Sequence, residues 1–265
     1  MRTFYYVHTG HRIGLDRFRR AAAIIKNLED VDITLLCSDF RIAQVACDYG
    51  VEKSVGVDVV RNIPQISNFG DRLIFDSEEA NPIMLEDMKE YFSTFIHVDN
   101  AEIAIDEQYF TQEEKTIPLT YFFGDDDYEK DLEKNLDFIE GLDASLQLGF
   151  YYFLDYEDML KTKFKEHFEF EEYEETIKKS NILITASPQA VLESLASGGK
   201  PIYIQREDYI EDFQELFKKL SVPIIKNYDK NKLLLTIESV SSHKYGKIDR
   251  NSNKIVEIIK ENLNL

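Results

Sequence analysis

Short runs of purely apolar residues, each followed by a helical pattern, constrain this chain more than any other feature. In the first part the strand-like runs are Phe4–Val7, Ile33–Cys37, Leu73–Phe75 and Phe95–Val98. Helical spacing fills the gaps at Leu15–Leu28, Phe40–Tyr49 and Ile83–Phe92. A strand with one wet face alternates apolar and polar residues. These do not, so both faces must be covered, as in a parallel sheet layered with helices. Strands of this kind alternating with helices predict a doubly wound α/β sheet.

From Glu102 to Thr116 the pattern weakens and charge rises, and Pro118 then precedes a new apolar run, LTYFF. The alternation resumes with helix Asp126–Leu142, strand Gln147–Leu154 and helices Tyr156–His167 and Tyr173–Lys179. Strand Ile182–Thr185, helix Pro188–Ala196, strand Ile202–Gln205, helix Ile210–Leu220 and strand Val222–Ile225 follow, and two helical patterns close the chain. The last, Arg250–Asn262, sets Ile255, Val256 and Ile259 on one apolar face, with Leu263 just beyond. The reading is two Rossmann-like domains, about residues 1–115 and 116–265, with ligands at the carboxyl ends of the strands between them. With 265 residues, 43% of them hydrophobic, the chain can build two cores.

Net charge is −19, which argues against nucleic acid or an anionic membrane as a partner through bulk charge. No run reaches the ~18 apolar residues of a membrane span, and no signal-peptide core opens the chain, so the expectation is a soluble, cytoplasmic protein. Cys37 and Cys47 stand in apolar surroundings and read as buried free thiols. No Cys or His spacing suggests a metal site, and no cofactor is called for.

Three stretches carry possible chemistry. The first, HTGHRIGLDRFRRAAAIIKNL, places a strand end, a loop with Gly10 and Gly14, and a helix start in sequence. His8, His11, Arg12, Arg17, Arg19 and Arg20 concentrate positive charge there, suited to a phosphate or carboxylate. Arg19 and Arg20 equally suit the wet face of the helix, opposite Leu15, Phe18 and Ala22. The second, SNILITASPQAVLESLASGGKPIYIQ, is a strand, a helix N-capped by Ser187 with Pro188 at its first position, and a Gly198–Gly199 stop. Backbone N–H groups after Ala186 would hold phosphate, and Glu193 would accept hydrogen bonds from a ribose diol. The third, FFGDDDYEKDLEKNL, ends a strand at Gly124 and starts a helix among three aspartates, which read as a solvated acidic helix start rather than a magnesium site.

In this order the three stretches resemble the GT-B-fold nucleotide-sugar proteins, nearest to the UDP-sugar hydrolase family of pseudaminic acid biosynthesis. The lipid-linked N-acetylglucosaminyltransferase of peptidoglycan synthesis is a more distant cousin. The likeness covers most of the chain. RIGLDRFRRA lies against the family's I-G-x-G-H-x-x-R, FFGDDDYEKDL against its G-G-x-D loop, and SNILITASPQAVLESLASGGKP against its strand, Ser-rich turn and Glu-bearing helix. KIDRNSNKIVEII resembles the D-G-x-G-x-x-R-I ending, and HVDN falls where the family closes its N-terminal sheet. The resemblance implies two Rossmann-like domains in a GT-B arrangement, a nucleotide-diphosphate-sugar partner, and a final helix that crosses back to the first domain.

The chain departs from the family at the chemistry. The family's catalytic histidine falls on Arg17 and the glycine before it on Asp16. Arginine stays protonated and cannot act as a base. The second glycine of the phosphate loop falls on Asp125, which brings a side chain and a negative charge to a place for backbone. Three readings follow: His8 or His11 has taken over, with His11 the reserve base; Arg17 stabilises a leaving diphosphate; or catalysis is gone and the fold serves as an interaction or scaffold module. An effector-binding regulator is a further alternative. The expected function is UDP-sugar binding with hydrolysis or glycosyl transfer in bacterial surface-sugar metabolism. Arg12, Gly14, Gly124, Ala186, Ser187 and Glu193 would bind the nucleotide and phosphates, and His11 and Arg17 would act on the sugar.

Overall fold

The computed structural model describes residues 1–207 and 213–264. The chain divides into two compact units, Met1–Asp106 with Asn251–Leu265, and Glu107–Arg250. The first unit opens with β1 (Thr3–Val7), α1 (Asp16–Lys26), β2 (Ile33–Cys37) and α2 (Phe40–Val45), then β3 (Ser54–Gly56), α3 (Ile63–Ile66), β4 (Arg72–Asp76), α4 (Pro82–Tyr91) and β5 (Thr94–His97). Its sheet has the order β3-β2-β1-β4-β5, and every pairing is parallel. All five residues of β1 are buried, as a central strand covered on both faces requires. Phe18 and Ala21–Ile24 turn the apolar stripe of α1 inward, and Asp16 and Lys26 match the dipole at its two ends.

The second unit holds β6 (Ile117–Phe122), α5 (Asp131–Lys134), α6 (Leu136–Ile139), β7 (Ser145–Gln147), α7 (Leu154–Lys161), β8 (His167–Phe168), α8 (Tyr173–Lys179), β9 (Ser180–Thr185), α9 (Pro188–Ala196), β10 (Lys200–Gln205), α10 (Gln214–Lys219), β11 (Ile224–Lys226) and α11 (Lys230–Ser239). Its sheet, also parallel throughout, runs β11-β10-β9-β6-β7-β8. Read from β8, that is the doubly wound order with β6 and β9 at its centre. Tyr121, Phe123, Leu146, Ile184, Ile202 and Ile204 anchor the core.

The chain then returns to the first unit. Helix α12 (Lys254–Leu263) buries Ile255, Val256, Ile259 and Leu263 and packs on β5. Asn253 holds this junction, donating to the Ile105 carbonyl and accepting from the Ile105 amide, both at 3.0 Å. The division therefore falls after Asp106 rather than after residue 115, and the terminal helix lies outside the 116–265 span, with the first unit, as the resemblance implied.

Several elements differ from the sequence reading. The expected helix Asp126–Leu142 is two separate turns, α5 and α6. Lys130 is left-handed at φ 56°, and the Asn135 side chain donates to the Asp131 carbonyl at 2.8 Å, both working against a continuous helix. Strand Gln147–Leu154 stops at Gln147, because Gly149 and Tyr152 close a turn. The edge strands β3 and β8 were not expected; they have three and two residues and one neighbour each. Of helix Ile210–Leu220, Ile210–Asp212 lie outside the described residues. Cys37 is buried, with its thiol pushed up to about 12 by burial, but Cys47 is exposed on the outer side of a 3₁₀ turn. Among the described residues no helix is long and apolar enough to cross a membrane.

Candidate functional sites

In the first unit the connections from β1 and β4 leave toward opposite edges of the sheet, which opens a crevice at their carboxyl ends. Asp76, the last residue of β4, is completely buried there. Tyr5 donates its hydroxyl to Asp76 Oδ2 at 3.0 Å. Arg20 grips both carboxylate oxygens, Nη2 to Oδ1 at 2.5 Å and Nε to Oδ2 at 3.1 Å. Arg20 Nη1 also donates to the carbonyls of Asp99, Asn100 and Glu102 at 3.1, 2.8 and 3.1 Å. Burial alone would depress the Arg20 pKa, but Asp76 outweighs it and the net shift is upward. Burial and then Asp76 push the Tyr5 phenol well up.

Arg17 lies on the same face of α1, with Nη2 donating to Asn100 Oδ1 at 2.6 Å and Nε 3.6 Å from Asp76 Oδ1. Arg19 is buried too, 3.8 Å from Asp16 Oδ1. The wet-face reading of Arg19 and Arg20 is therefore overturned: the helix turns both into the unit, where buried carboxylate and carbonyl oxygens balance the Arg20 charge.

The loop between β1 and α1 folds back on itself. Ile13 and Gly14 donate to the Gly10 carbonyl at 3.1 and 2.9 Å, leaving Arg12 left-handed at φ 70°. His11 is half-buried and Arg12 exposed. Ser38 Oγ ties down the loop start, bonding the Thr9 amide and carbonyl at 2.8 Å each. Beside it, His8 Nε2 lies 3.7 Å from Glu79 Oε1. Tyr6 donates its hydroxyl to Glu79 Oε2, and Ser77 Oγ donates to the same oxygen at 3.2 Å. Burial lowers the His8 pKa and Arg17 adds to the fall, against an upward pull from Glu79. The Tyr6 phenol is pushed up, by burial first and Glu79 second.

The second unit has its own switch point, between β6 and β9. The two loops the sequence singled out meet there: the Ala186 amide donates to the Phe123 carbonyl at 3.2 Å. Gly124 has φ 149°, open to glycine and rare for other residues. Ser187 caps α9 through Oγ, which accepts from the Ala190 amide at 3.1 Å, while the Ser187 amide donates to Thr185 Oγ1 at 3.0 Å. Glu193 is buried, accepting from Tyr173 OH at 2.6 Å and from Gln189 Nε2 at 2.9 Å.

The acidic run is not a solvated helix start. Asp125, Asp126 and Asp127 are all buried. Asp127 accepts from the amides of Asp131 and Leu132 at 2.7 and 3.0 Å and from Tyr156 OH, and burial raises its pKa. The Asp125 carbonyl accepts from the Tyr151 amide at 2.8 Å. Gly149 allows this packing, since a Cβ there would sit 2.3 Å from the Gly124 carbonyl oxygen. Among the described residues no cluster of His, Cys, Asp or Glu side chains could hold a metal ion.

Sequence reasoning missed Arg206. It follows β10 directly, is buried, and lays its guanidinium 4.7 Å over the Phe123 ring. Nη1 donates to the Asp126 carbonyl at 2.8 Å, and Nη1 is also 3.9 Å from where a Gly124 Cβ would be. A charged residue directly after the strand-like run IYIQ was the available signal. Within the second unit the structure thus brings Gly124, Ala186 and Ser187 together, with Glu193 farther along α9. Within the first it gathers Arg17, Asn100 and Asp76 at one point and His8 with Glu79 at another.

No protein-family model matches this chain, and no curated protein matches it. Solved structures do. The UDP-GlcNAc 2-epimerase of Methanocaldococcus jannaschii, in complex with UDP-GlcNAc and UDP, has TM-score 0.62 at 11% identity, covering 98% of this chain and 100% of that one. Anabaena HepE in complex with UDP has TM-score 0.61 at 10% identity, covering all of both chains. The E. coli heptosyltransferase WaaC with ADP has TM-score 0.52 at 9% identity, covering 91% of this chain and 98% of that one. Likenesses at such identities are likenesses of fold. The fold class is α/β, with two Rossmann-like units of the GT-B class.

Proposed function

We propose that this chain binds a nucleotide-diphosphate sugar, with UDP as the nucleotide, and cleaves the bond between sugar and diphosphate by hydrolysis or glycosyl transfer, in bacterial surface-sugar metabolism. The observation that carries the reading is the second unit's switch point. Gly124, the start of α9 and a buried arginine share it. A guanidinium beside a residue with no side chain suits a diphosphate, which it can meet with two parallel N–H bonds. Glu193 would hold the ribose. Solved proteins of the same fold have been seen with UDP and UDP-GlcNAc, which supports the choice of nucleotide.

A second reading rests on the same loops. The amides of Ala186, Ser187 and Ala190 all donate within the protein, both Glu193 oxygens accept from side chains, and three aspartates fill the Gly124 loop. These features favour a relative without turnover that serves as an interaction or scaffold module. Thermal unfolding with millimolar UDP, UDP-N-acetylglucosamine, CMP or GDP separates the two. A ligand at 100 times its Kd stabilises by about 2.7 kcal/mol, a shift of several degrees. A shift with UDP compounds alone supports the first reading; no shift with any nucleotide supports the second.

A further inference from the structure

The first unit carries an open apolar groove of about 210 Å³, with the 3₁₀ turn Val60–Asn62 and α3 as one wall and α4 as the other. Val60 and Ile63 line the first wall, and Met84, Met88, Tyr91 and Phe92 the second. Met84, Met88 and Tyr91 recur at i, i+4 and i+7, so one stripe of α4 faces the groove. These side chains are the edge of the first unit's core, where Met88 and Phe92 are buried and Met84 and Tyr91 only partly covered. A hollow of about 150 Å³ already takes a benzene-sized group, so this one has room for a large apolar side chain.

Two such side chains stand beside it. Phe69 is 79% exposed and Ile83 73%. The Phe69 ring meets Tyr91 edge-on at 5.8 Å, Tyr91 OH donates to the Ser67 carbonyl at 3.3 Å, and the Gly70 amide donates to the Tyr91 carbonyl at 2.9 Å. Ile83 lies in the first turn of α4, which Asn81 caps by accepting from the Met84 amide at 3.0 Å. Both are held in place before any contact, which lowers the ordering cost of binding. The groove also carries both signs of charge, Arg61 on one wall and Asp87 on the other. Both are exposed, and among the described residues neither side chain makes a hydrogen bond or ion pair.

We propose that a second copy of this chain docks on this face, related to the first by a two-fold axis that sets the two α4 helices antiparallel. The proposal stands apart from the function given above. A hollow, fixed apolar projections and an unpaired charge of each sign share one face. That is what a self-complementary contact requires, since whatever one copy offers the other receives. With the helices antiparallel, Ile83 at the start of one α4 enters the groove of the other copy beside Tyr91, at that helix's end. Arg61 of each copy stands opposite Asp87 of the other. A net charge of −19 sets two copies against each other at long range, and unpaired charges of both signs let this face oppose that repulsion.

Sedimentation equilibrium of the full chain in about 0.15 M salt, where the Debye length is ~8 Å, tests this. The mass should rise from 31.0 kDa toward twice that value with concentration, with a Kd below about 1 mM. Ile83→Glu and Phe69→Glu, at exposed positions, should each weaken association at least about tenfold. Leu154→Glu, at a position 73% exposed in the second unit, should leave it unchanged. Arg61→Asp and Asp87→Arg should each weaken it, because each sets like charges opposite one another. Mixed in equal amounts, these two variants should pair at least as tightly as wild type, because one then offers only negative charge at the two positions and the other only positive. That rescue needs contact between copies, so a folding defect cannot produce it. A wild type that stays at 31.0 kDa up to about 1 mM would overturn the proposal and leave the groove to a small apolar ligand or a different protein. An Ile83→Glu chain that associates like wild type, or a mixture no tighter than its components, would overturn it too.

Discussion

Replacing Arg20 with methionine should destabilise the first unit more than any other single change on α1. The Arg20 guanidinium makes two bonds to Asp76 and three to the carbonyls of Asp99, Asn100 and Glu102. The two side chains are 5% and 0% exposed, so water cannot take the place of the lost partner. Among the described residues, methionine leaves Asp76 facing Tyr5 OH at 3.0 Å and Arg17 at 3.6 Å. Breaking a buried pair from one side costs about 3–5 kcal/mol. At roughly 2–4 °C per kcal/mol for a protein this size, the first unit's melting point should fall by on the order of 10 °C. Arg20→Lys keeps the charge but cannot span Asp76 and three carbonyls, and should cost about 1–2 kcal/mol. Adding Asp76→Leu to Arg20→Met removes the stranded carboxylate and should recover stability relative to Arg20→Met alone. With 15 tyrosines and no tryptophan, urea unfolding is followed by tyrosine emission and circular dichroism. An Arg20→Met cost below about 1 kcal/mol, or a double variant less stable than the single, would refute the reasoning.

Three further outcomes follow from the packing. Burial raises the Asp127 pKa, so its proton is held more tightly in the folded chain; the associated stability is full below the ordinary carboxylate pKa and is lost as pH rises through the raised value. Unfolding of the second unit should therefore become harder as pH falls from neutrality into that window, and Asp127→Asn should remove this dependence in urea titrations at several pH values. Gly149→Ala drives a Cβ to 2.3 Å from the Gly124 carbonyl oxygen, which is backbone and cannot swing away, and should cost at least about 2 kcal/mol by chemical unfolding. In the native chain a disulfide reagent should titrate one thiol, Cys47, because Cys37 is buried and pushed up to about 12; in denaturant it should titrate both.

The centre of each sheet was legible because its signals are local. β2, α8 and α9 span the residues read from the sequence, since apolar runs, Ser187, Pro188 and Gly198 lie in or next to the elements they define. The run after Gly124 was misread because its fate is decided elsewhere. Tyr156, Gly149 and Arg206 bury and bind the three aspartates, and each is 22 or more residues away in the chain. The same holds for the first unit's site. The concentration of arginines on α1 was visible, but the partner that turns Arg20 inward, Asp76, is 56 residues distant. Glu79 carried a weaker signal, an acidic pair one residue beyond the end of β4, which has no meaning until β4 is set beside β1.

The central claim is that the second unit's switch point holds a nucleoside diphosphate. Titration calorimetry of UDP into the full chain tests it, alongside Arg206→Met and with folding of the variant checked by circular dichroism. The account expects a single site with Kd well below about 1 mM, weakened at least tenfold (about 1.4 kcal/mol) in the folded variant. No heat of binding from wild type at millimolar UDP, or equal affinity in wild type and variant, would contradict it.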